Sequence, residues 1–173
     1  MKDPLTQLAD EFGTDKGTLC HLYTPWYHKI LQDLDPAWVV ELGIYKGASL
    51  KMWNEYFESA AVIGVDWDLT CVDLDPIAIM CNLGEPAAYK ELKEELPSQV
   101  DLIIDDASHQ TAHQQLALRE LWPIVSPGGV YLVEDAEAYG MFPAHECRPQ
   151  DAESMAVFYA PSGGVSVAYF KKD

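Results

Sequence analysis

Apolar residues along the chain fall into short runs whose period changes. After Pro4, Leu5 to Glu11 and then Leu19 to Leu34 carry them at spacings of three and four, predicting two N-terminal helices parted by the turn-like Gly13-Thr14-Asp15-Lys16-Gly17. Trp38 to Leu42 is a short apolar run ending in Gly43, and Ser49 to Tyr56 then reads as a helix with Leu50, Trp53 and Phe57 on one side. Ala61 to Val65, Ile77 to Cys81, Leu102 to Ile104 and Val130 to Val133 are further buried-strand patterns. Between them, Pro86 to Leu96 and Thr111 to Trp122 have helical spacing. Short apolar strands alternating with helices imply an α/β fold, a mostly parallel sheet with helices on both faces. The end differs: Met155 to Tyr159 and Val165 to Phe170, joined by Pro161-Ser162-Gly163-Gly164, predict a C-terminal β-hairpin.

Composition narrows what such a sheet does. The chain has 173 residues and carries a net charge of −17, which repels phosphate backbones and anionic lipid. Neither nucleic acid nor membrane is an expected partner. No apolar run approaches a membrane span, and Met1-Lys2-Asp3-Pro4 lacks the apolar stretch of a secretory signal, so a cytoplasmic protein is expected. Cys20, Cys71, Cys81 and Cys147 are widely spaced, without a zinc-type pair, and read as four buried thiols. No repeat or linker marks a boundary. One domain over 1–173 is expected, with helices in 1–35 and the sheet in 36–173.

Ligands of parallel sheets bind beyond the carboxyl ends of the strands, and here those positions are mostly acidic. Glu41-Leu42-Gly43-Ile44-Tyr45-Lys46-Gly47-Ala48-Ser49 is a glycine-containing turn into a helix, where backbone N–H groups favour an anion. Tyr45 stands where a dinucleotide motif needs its middle glycine, which disfavours NAD. Asp66 ends the second strand at about the 20-residue spacing of a ribose-binding carboxylate; the alternative is a solvated loop acid.

Asp105-Asp106-Ala107-Ser108-His109 closes the fourth strand and Glu134-Asp135 the fifth. If these strands are neighbours, Asp106, Glu134 and Asp135 converge and repel unless a cation intervenes, and all-oxygen ligation suits Mg²⁺. His109, three residues beyond Asp106, is placed to act as a general base on a hydroxyl held there. Other readings stay open: Asp105 or Asp106 as a helix cap, His109 as a surface histidine, or His113 in a two-histidine metal pair.

Taken together, Phe12-Gly13-Thr14-Asp15-Lys16-Gly17 with His21-x-Tyr23 and Tyr27, Glu41-x-Gly43, Asp105-Asp106-x-Ser108-His109 and Glu134-Asp135 resemble a class I S-adenosylmethionine-dependent methyltransferase. More narrowly, they resemble the Mg²⁺-dependent sugar O-methyltransferases of macrolide pathways, of the mycinamicin type. The resemblance spans about Phe12 to Tyr139 and implies a Rossmann-like class I methyltransferase fold. It implies Mg²⁺ on Asp106, Glu134 and Asp135, His109 as base, and the cosubstrate ribose on Asp66. Asn82 stands where the family has an adenine-binding Asp, and its amide can serve the same edge. The cosubstrate site so implied comprises Glu41, Gly43, Gly47, Ser49, Asp66, Asn82 and Asp105.

The sequence departs from that family at Ala48, where relatives often have glycine. It departs again over Ala136 to Ser154, which is short and contains Pro143 and Pro149 where relatives carry a helix and substrate-binding insertions. The acceptor pocket is therefore expected to be reduced or completed by another subunit in a homo-oligomer, with Tyr139, Phe142 and His145 as candidate lining or as self-packed loop residues. The implied activity is methyl transfer from S-adenosylmethionine to a small sugar or diol-like hydroxyl. The alternative is a non-catalytic S-adenosylmethionine-binding or regulatory protein of the same fold.

Overall fold

Strand residues that alternate between two apolar faces require cover on both sides. In the computed structural model, which describes residues 2–70 and 77–173, seven strands form one sheet. Of the thiols expected to be buried, Cys81 is buried and Cys147 partly so, Cys20 is exposed on the loop before α2, and Cys71 lies outside the described residues. The strands are β1 (Trp38–Leu42), β2 (Ala61–Asp66), β3 (Ile77–Met80), β4 (Val100–Asp105), β5 (Val125–Val133), β6 (Ala152–Tyr159) and β7 (Val165–Lys171). The helices are α1 (Pro4–Phe12), α2 (Thr24–Leu31), α3 (Ala48–Tyr56), α4 (Ala88–Glu95) and α5 (Thr111–Leu121), with a 3₁₀ turn at Trp122–Ile124.

The spatial order is β3-β2-β1-β4-β5-β7-β6. β1 to β5 run parallel, and β7 is antiparallel to both β5 and β6. This is the expected mostly parallel sheet with an appended hairpin. Val40, Leu42, Ile103, Tyr131 and Val133 face one core with Leu92 of α4 and Leu116 and Leu121 of α5. Val39, Leu102, Ile104, Val130 and Leu132 face the other, with Leu5, Ala9, Tyr27, Leu31, Leu50 and Trp53 from α1, α2 and α3. Helices thus cover both faces.

The second helix starts later than its apolar spacing suggests, at Thr24 rather than near Leu19. Pro25 has no N–H to bond a carbonyl one turn back, so it fits only a first turn. The chain before it folds instead as a loop: the Lys16 carbonyl accepts from the N–H groups of Tyr23 and Thr24, and Leu22 adopts φ +57°. α1 ends where Gly13, at φ +74°, closes a C-terminal cap on Ala9. These two stops aim residues 14–23 at the ends of β4 and β5.

Register sets the height of the site. Leu42 pairs with Val65 and with Asp105, and Asp105 pairs with Val133. The next residues, Gly43, Asp66, Asp106 and Glu134, therefore stand in one row at the carboxyl edge, on strands about 4.8 Å apart. No helix of the described residues is long and apolar enough to cross a membrane.

Candidate active site

β2 and β4 flank β1, and Gly43 leaves β1 between them at φ +92°. A Cβ here would strike the Asp106 carbonyl and lie 2.7 Å from the Ala107 Cα, so only glycine lets the two turns pass. The Asp66 carboxylate crosses to this turn: Oδ2 accepts from the backbone N–H of Ile44 at 2.7 Å and of Tyr45 at 3.3 Å, while Oδ1 accepts from Asp68 N–H at 3.2 Å. Gly47, at φ +78°, turns the chain into α3. Ser49 Oγ then donates to Glu41 Oε2 at 2.8 Å, and Trp53 Nε1 donates to Glu41 Oε1 at 3.2 Å. Glu41 is fully buried, and burial pushes its carboxyl up to about 7 against the opposing pull of Lys16.

A cleft of about 1020 Å³ opens over this row. Phe12 to Asp15, Gly43 to Lys46, Ser49, Asp66, Trp67, Asp106, His109 and Asp135 are among its lining residues. A side cavity of about 270 Å³ shares Gly43, Asp66, Trp67 and Ala107 with it and adds Asn82, Ser108 and His113. Tyr45 and Trp67, both more than 70% exposed, stand at the rim.

At the other end of the cleft, Asp106, His109 and Asp135 each offer a ligand atom within 4.8 Å of the others. His109 Nδ1 lies 3.3 Å from Asp135 Oδ2 and 3.9 Å from Asp106 Oδ1, and has no hydrogen-bond partner among the described residues. His113 is directed elsewhere, its Nδ1 paired with Ser108 Oγ at 2.8 Å in the side cavity. The converging donors therefore include His109 but not His113.

Glu134 is held one layer deeper by a residue to which the sequence reading gave no role. The Lys16 ammonium, 1% exposed, bonds Asp106 Oδ2, stands 2.8 Å from Glu134 Oε2 and 3.6 Å from Glu41 Oε1. Burial alone would lower the Lys16 pKa, but the three carboxylates outweigh it and hold it well above the ordinary lysine value. Burial likewise raises Glu134 and Asp106 despite the ammonium. Glu134 Oε1 is buried with no partner among the described residues. Tyr23 donates its hydroxyl to Asp135 Oδ1 at 2.6 Å. The signal available was a lysine set between two glycines in Gly-Thr-Asp-Lys-Gly; in the fold Gly17 packs so tightly on α1 that a Cβ would come 2.8 Å from Ala9 Cβ. That fit fixes the loop and sends Lys16 inward.

Asp105 is not brought to the cleft wall. It is buried beneath Tyr131, whose hydroxyl donates to Oδ2 at 3.4 Å, and burial raises its carboxyl to about 7. In the short segment after β5, Phe142 is buried in the core beside α5, while Tyr139 is exposed. Thr111 Oγ1 donates to the Gly140 carbonyl and Tyr169 to that of Ala144, tying the segment to the body.

Four described non-glycine residues have positive φ: Leu22, Tyr45, His109 and Asp135. Three of them line the cleft and the fourth lies in the Lys16 loop. Such conformations cost about 1–3 kcal/mol each and persist where packing over-determines them, as at binding and catalytic sites.

The residues present fit a divalent ion: Asp106, His109 and Asp135 converge at the cleft wall, while Glu134, expected beside the two aspartates, lies outside that group with Oε2 on Lys16 and Oε1 buried without a partner among the described residues.

No protein-family model matches the chain. It is 38% identical over 141 residues to 8-demethyl-8-(2-methoxy-alpha-L-rhamnosyl)-tetracenomycin-C 3'-O-methyltransferase of Streptomyces olivaceus, a match covering 76% of this chain and 36% of that protein. It is 31% identical over 144 residues to mycinamicin VI 2''-O-methyltransferase of Micromonospora griseorubida, covering 78% and 36%. The chain thus spans little more than a third of the relatives it matches. Among solved structures, the MycE methyltransferase of the mycinamycin biosynthetic pathway, in complex with Mg, SAH and mycinamycin VI, superposes with a TM-score of 0.81 at 24% identity, covering 99% of this chain and 55% of that one. The resemblance read from the motifs is borne out, and the fold is that of Rossmann-like methyltransferases.

Proposed function

We propose that this chain is an S-adenosylmethionine-dependent, Mg²⁺-dependent O-methyltransferase acting on a small hydroxylated acceptor of the sugar or diol class. The observation that carries the reading is one cleft in which the Gly43–Asp66 row runs directly into the Asp106–His109–Asp135 cluster. The relatives, named for sugar O-methyl transfer, support the substrate class.

In this reading Gly43 and Ser49 form the floor under the cosubstrate, Asp66 Oδ1 meets its ribose hydroxyls, and Asn82 in the side cavity meets its adenine. Glu41 holds Ser49, Gly47 sets the helix start, and Asp105 supports the row from below. Asp106, Asp135 and Glu134 would hold Mg²⁺, which when bound supplies positive charge that acidifies an acceptor hydroxyl. His109 turns Nδ1 toward Asp106 and Asp135, leaving Nε2 to take the hydroxyl proton. The freed oxygen then attacks the methyl carbon as the methyl–sulfur bond breaks, releasing S-adenosylhomocysteine, and alignment of the two supplies most of the remaining acceleration.

A cytoplasmic setting suits the free thiols of Cys20, Cys81 and Cys147, and the whole chain works as one domain. The −17 charge opposes nucleic-acid and membrane partners. Because the segment after β5 is tied to the body, the acceptor side is closed in a homo-oligomer by a neighbouring copy. Light scattering checks that state.

Calorimetric titration with S-adenosylmethionine and Mg²⁺, separately and together, followed by turnover on a rhamnosyl acceptor, tests the reading. Both ligands should bind, and turnover should require the metal. Cosubstrate binding without metal-dependent turnover would favour a non-catalytic binding protein.

A further inference from the structure

The three carboxylates proposed to hold Mg²⁺ share a pattern. Each has one oxygen engaged by a donor from the N-terminal loop and a second that no such donor reaches. Lys16 Nζ takes Asp106 Oδ2 and, at 2.8 Å, Glu134 Oε2. Tyr23 takes Asp135 Oδ1 at 2.6 Å. The remaining oxygens are Asp106 Oδ1 and Asp135 Oδ2, each facing His109 Nδ1 without a hydrogen bond, and Glu134 Oε1, buried and unpartnered.

We propose that Lys16 and Tyr23 are positioning residues that engage one oxygen from each of Asp106, Glu134 and Asp135, so that the cleft presents Asp106 and Asp135 as single-oxygen ligands beside His109 to a small divalent ion. This rests on the Mg²⁺ reading above and deepens it. The chemistry follows from the donors: an ammonium and a phenol hydroxyl have protons to give and compete for carboxylate oxygen, so each one engaged removes the two-oxygen grip that a larger ion such as Ca²⁺ accepts. Mg²⁺ demands short, near-octahedral ligation and is disfavoured by chelating carboxylates.

Both donors are fixed by packing. Tyr23 lies fully buried against Gly164 of the β6–β7 turn, where a Cβ would come 2.9 Å from the ring carbon bearing its hydroxyl. The same loop carries both residues, because the N–H of Tyr23 donates to the Lys16 carbonyl at 2.8 Å. The ordering of the metal ligands is thereby built into an element far from them in sequence. Partners that orient metal ligands typically change affinity by about 10- to 100-fold when removed.

The test compares wild type with Tyr23→Phe and Lys16→Met, measuring Mg²⁺ and Ca²⁺ affinity by calorimetry, S-adenosylhomocysteine affinity, and the electron paramagnetic resonance spectrum of bound Mn²⁺. Tyr23→Phe should stay folded and keep its S-adenosylhomocysteine affinity, weaken Mg²⁺ about 10-fold or more, narrow the Mg²⁺/Ca²⁺ preference and alter the Mn²⁺ spectrum. Lys16→Met, where it folds, should weaken Mg²⁺ as well; where it does not, Tyr23→Phe decides. Unchanged Mg²⁺ affinity and Mn²⁺ spectrum in Tyr23→Phe would overturn the proposal while leaving the metal site standing. Tighter Mg²⁺ binding by Lys16→Met would also overturn it, showing that the ammonium competes with the ion. Wild type that binds no Mg²⁺ would remove both this proposal and the metal reading.

Discussion

The ammonium of Lys16 rests 2.8 Å from Glu134 Oε2 across a sequence separation of 118 residues, joining the N-terminal loop to the end of β5. The same charge meets Asp106 at the end of β4 and Glu41 in β1. Three of the central strands are thus tied at their carboxyl edge by one buried cation.

Removing that cation leaves buried acids uncompensated. Lys16→Met should destabilise the metal-free protein by about 3–5 kcal/mol, the range for breaking a buried ion pair from one side. Urea unfolding in the presence of a chelator measures it. A loss below about 1 kcal/mol would mean that the carboxylates simply take up protons in the variant.

The Asp66 carboxylate accepts from the backbone of the glycine turn at Ile44 and Tyr45. Asp66→Ala should weaken S-adenosylmethionine and S-adenosylhomocysteine by about 1.5–3 kcal/mol, as for hydrogen bonds to a charged group. The variant also loses the bond to Ile44 N–H, so a melting curve should accompany the calorimetry. Equal affinity in a folded variant would take Asp66 out of the site.

The two histidines after β4 should separate by kinetics. His109→Ala should lower kcat by about 10²–10⁴ with cosubstrate affinity nearly intact, the usual contribution of a general base. His113→Ala, which alters the side cavity with Asn82, should act mainly on the KM for S-adenosylmethionine. The reverse pattern would exchange their roles.

Metal binding should appear as stability. At 100 times its dissociation constant, Mg²⁺ should add about 2.7 kcal/mol by ligand linkage, raising the melting temperature, and a chelator should reverse the gain. Glu134→Gln should diminish the response, since it replaces the acid that carries the unpartnered Oε1. A melting temperature indifferent to both additives contradicts the site.

Two glycines with similar backbones should respond differently. Gly13→Ala, at φ +74° in open space, should cost about 1 kcal/mol from conformation alone. Gly43→Ala adds a collision with the Asp106 turn to the same strain and should exceed it clearly in both unfolding free energy and S-adenosylmethionine affinity. Equal costs would show that the β1 and β4 turns have room to part.

The sequence by itself determined the elements that depend on local period and on the chemistry of single residues. Buried parallel strands read as apolar runs, so β1 to β4 and β7 were expected in nearly their observed places, while β5 and β6 begin five and three residues earlier than their apolar runs. The acids beyond the strand ends were equally visible, because side-chain charge does not depend on the fold. Only the tertiary structure decided which acids meet. Register puts Gly43, Asp66, Asp106 and Glu134 at one height, and a shift of one residue in a strand would have turned its side chain to the opposite face. The pairing of Asp105 with Leu42 buries it below the cleft, although it neighbours Asp106 in sequence. The cation among the acids was in plain sight as Lys16, but its reach depends on a loop capped by Gly13 and stopped by Pro25, and on contacts 90 and 118 residues away in the chain. Such contacts form only when the sheet is assembled, since no local preference of a lysine draws it out of water; three converging carboxylates do.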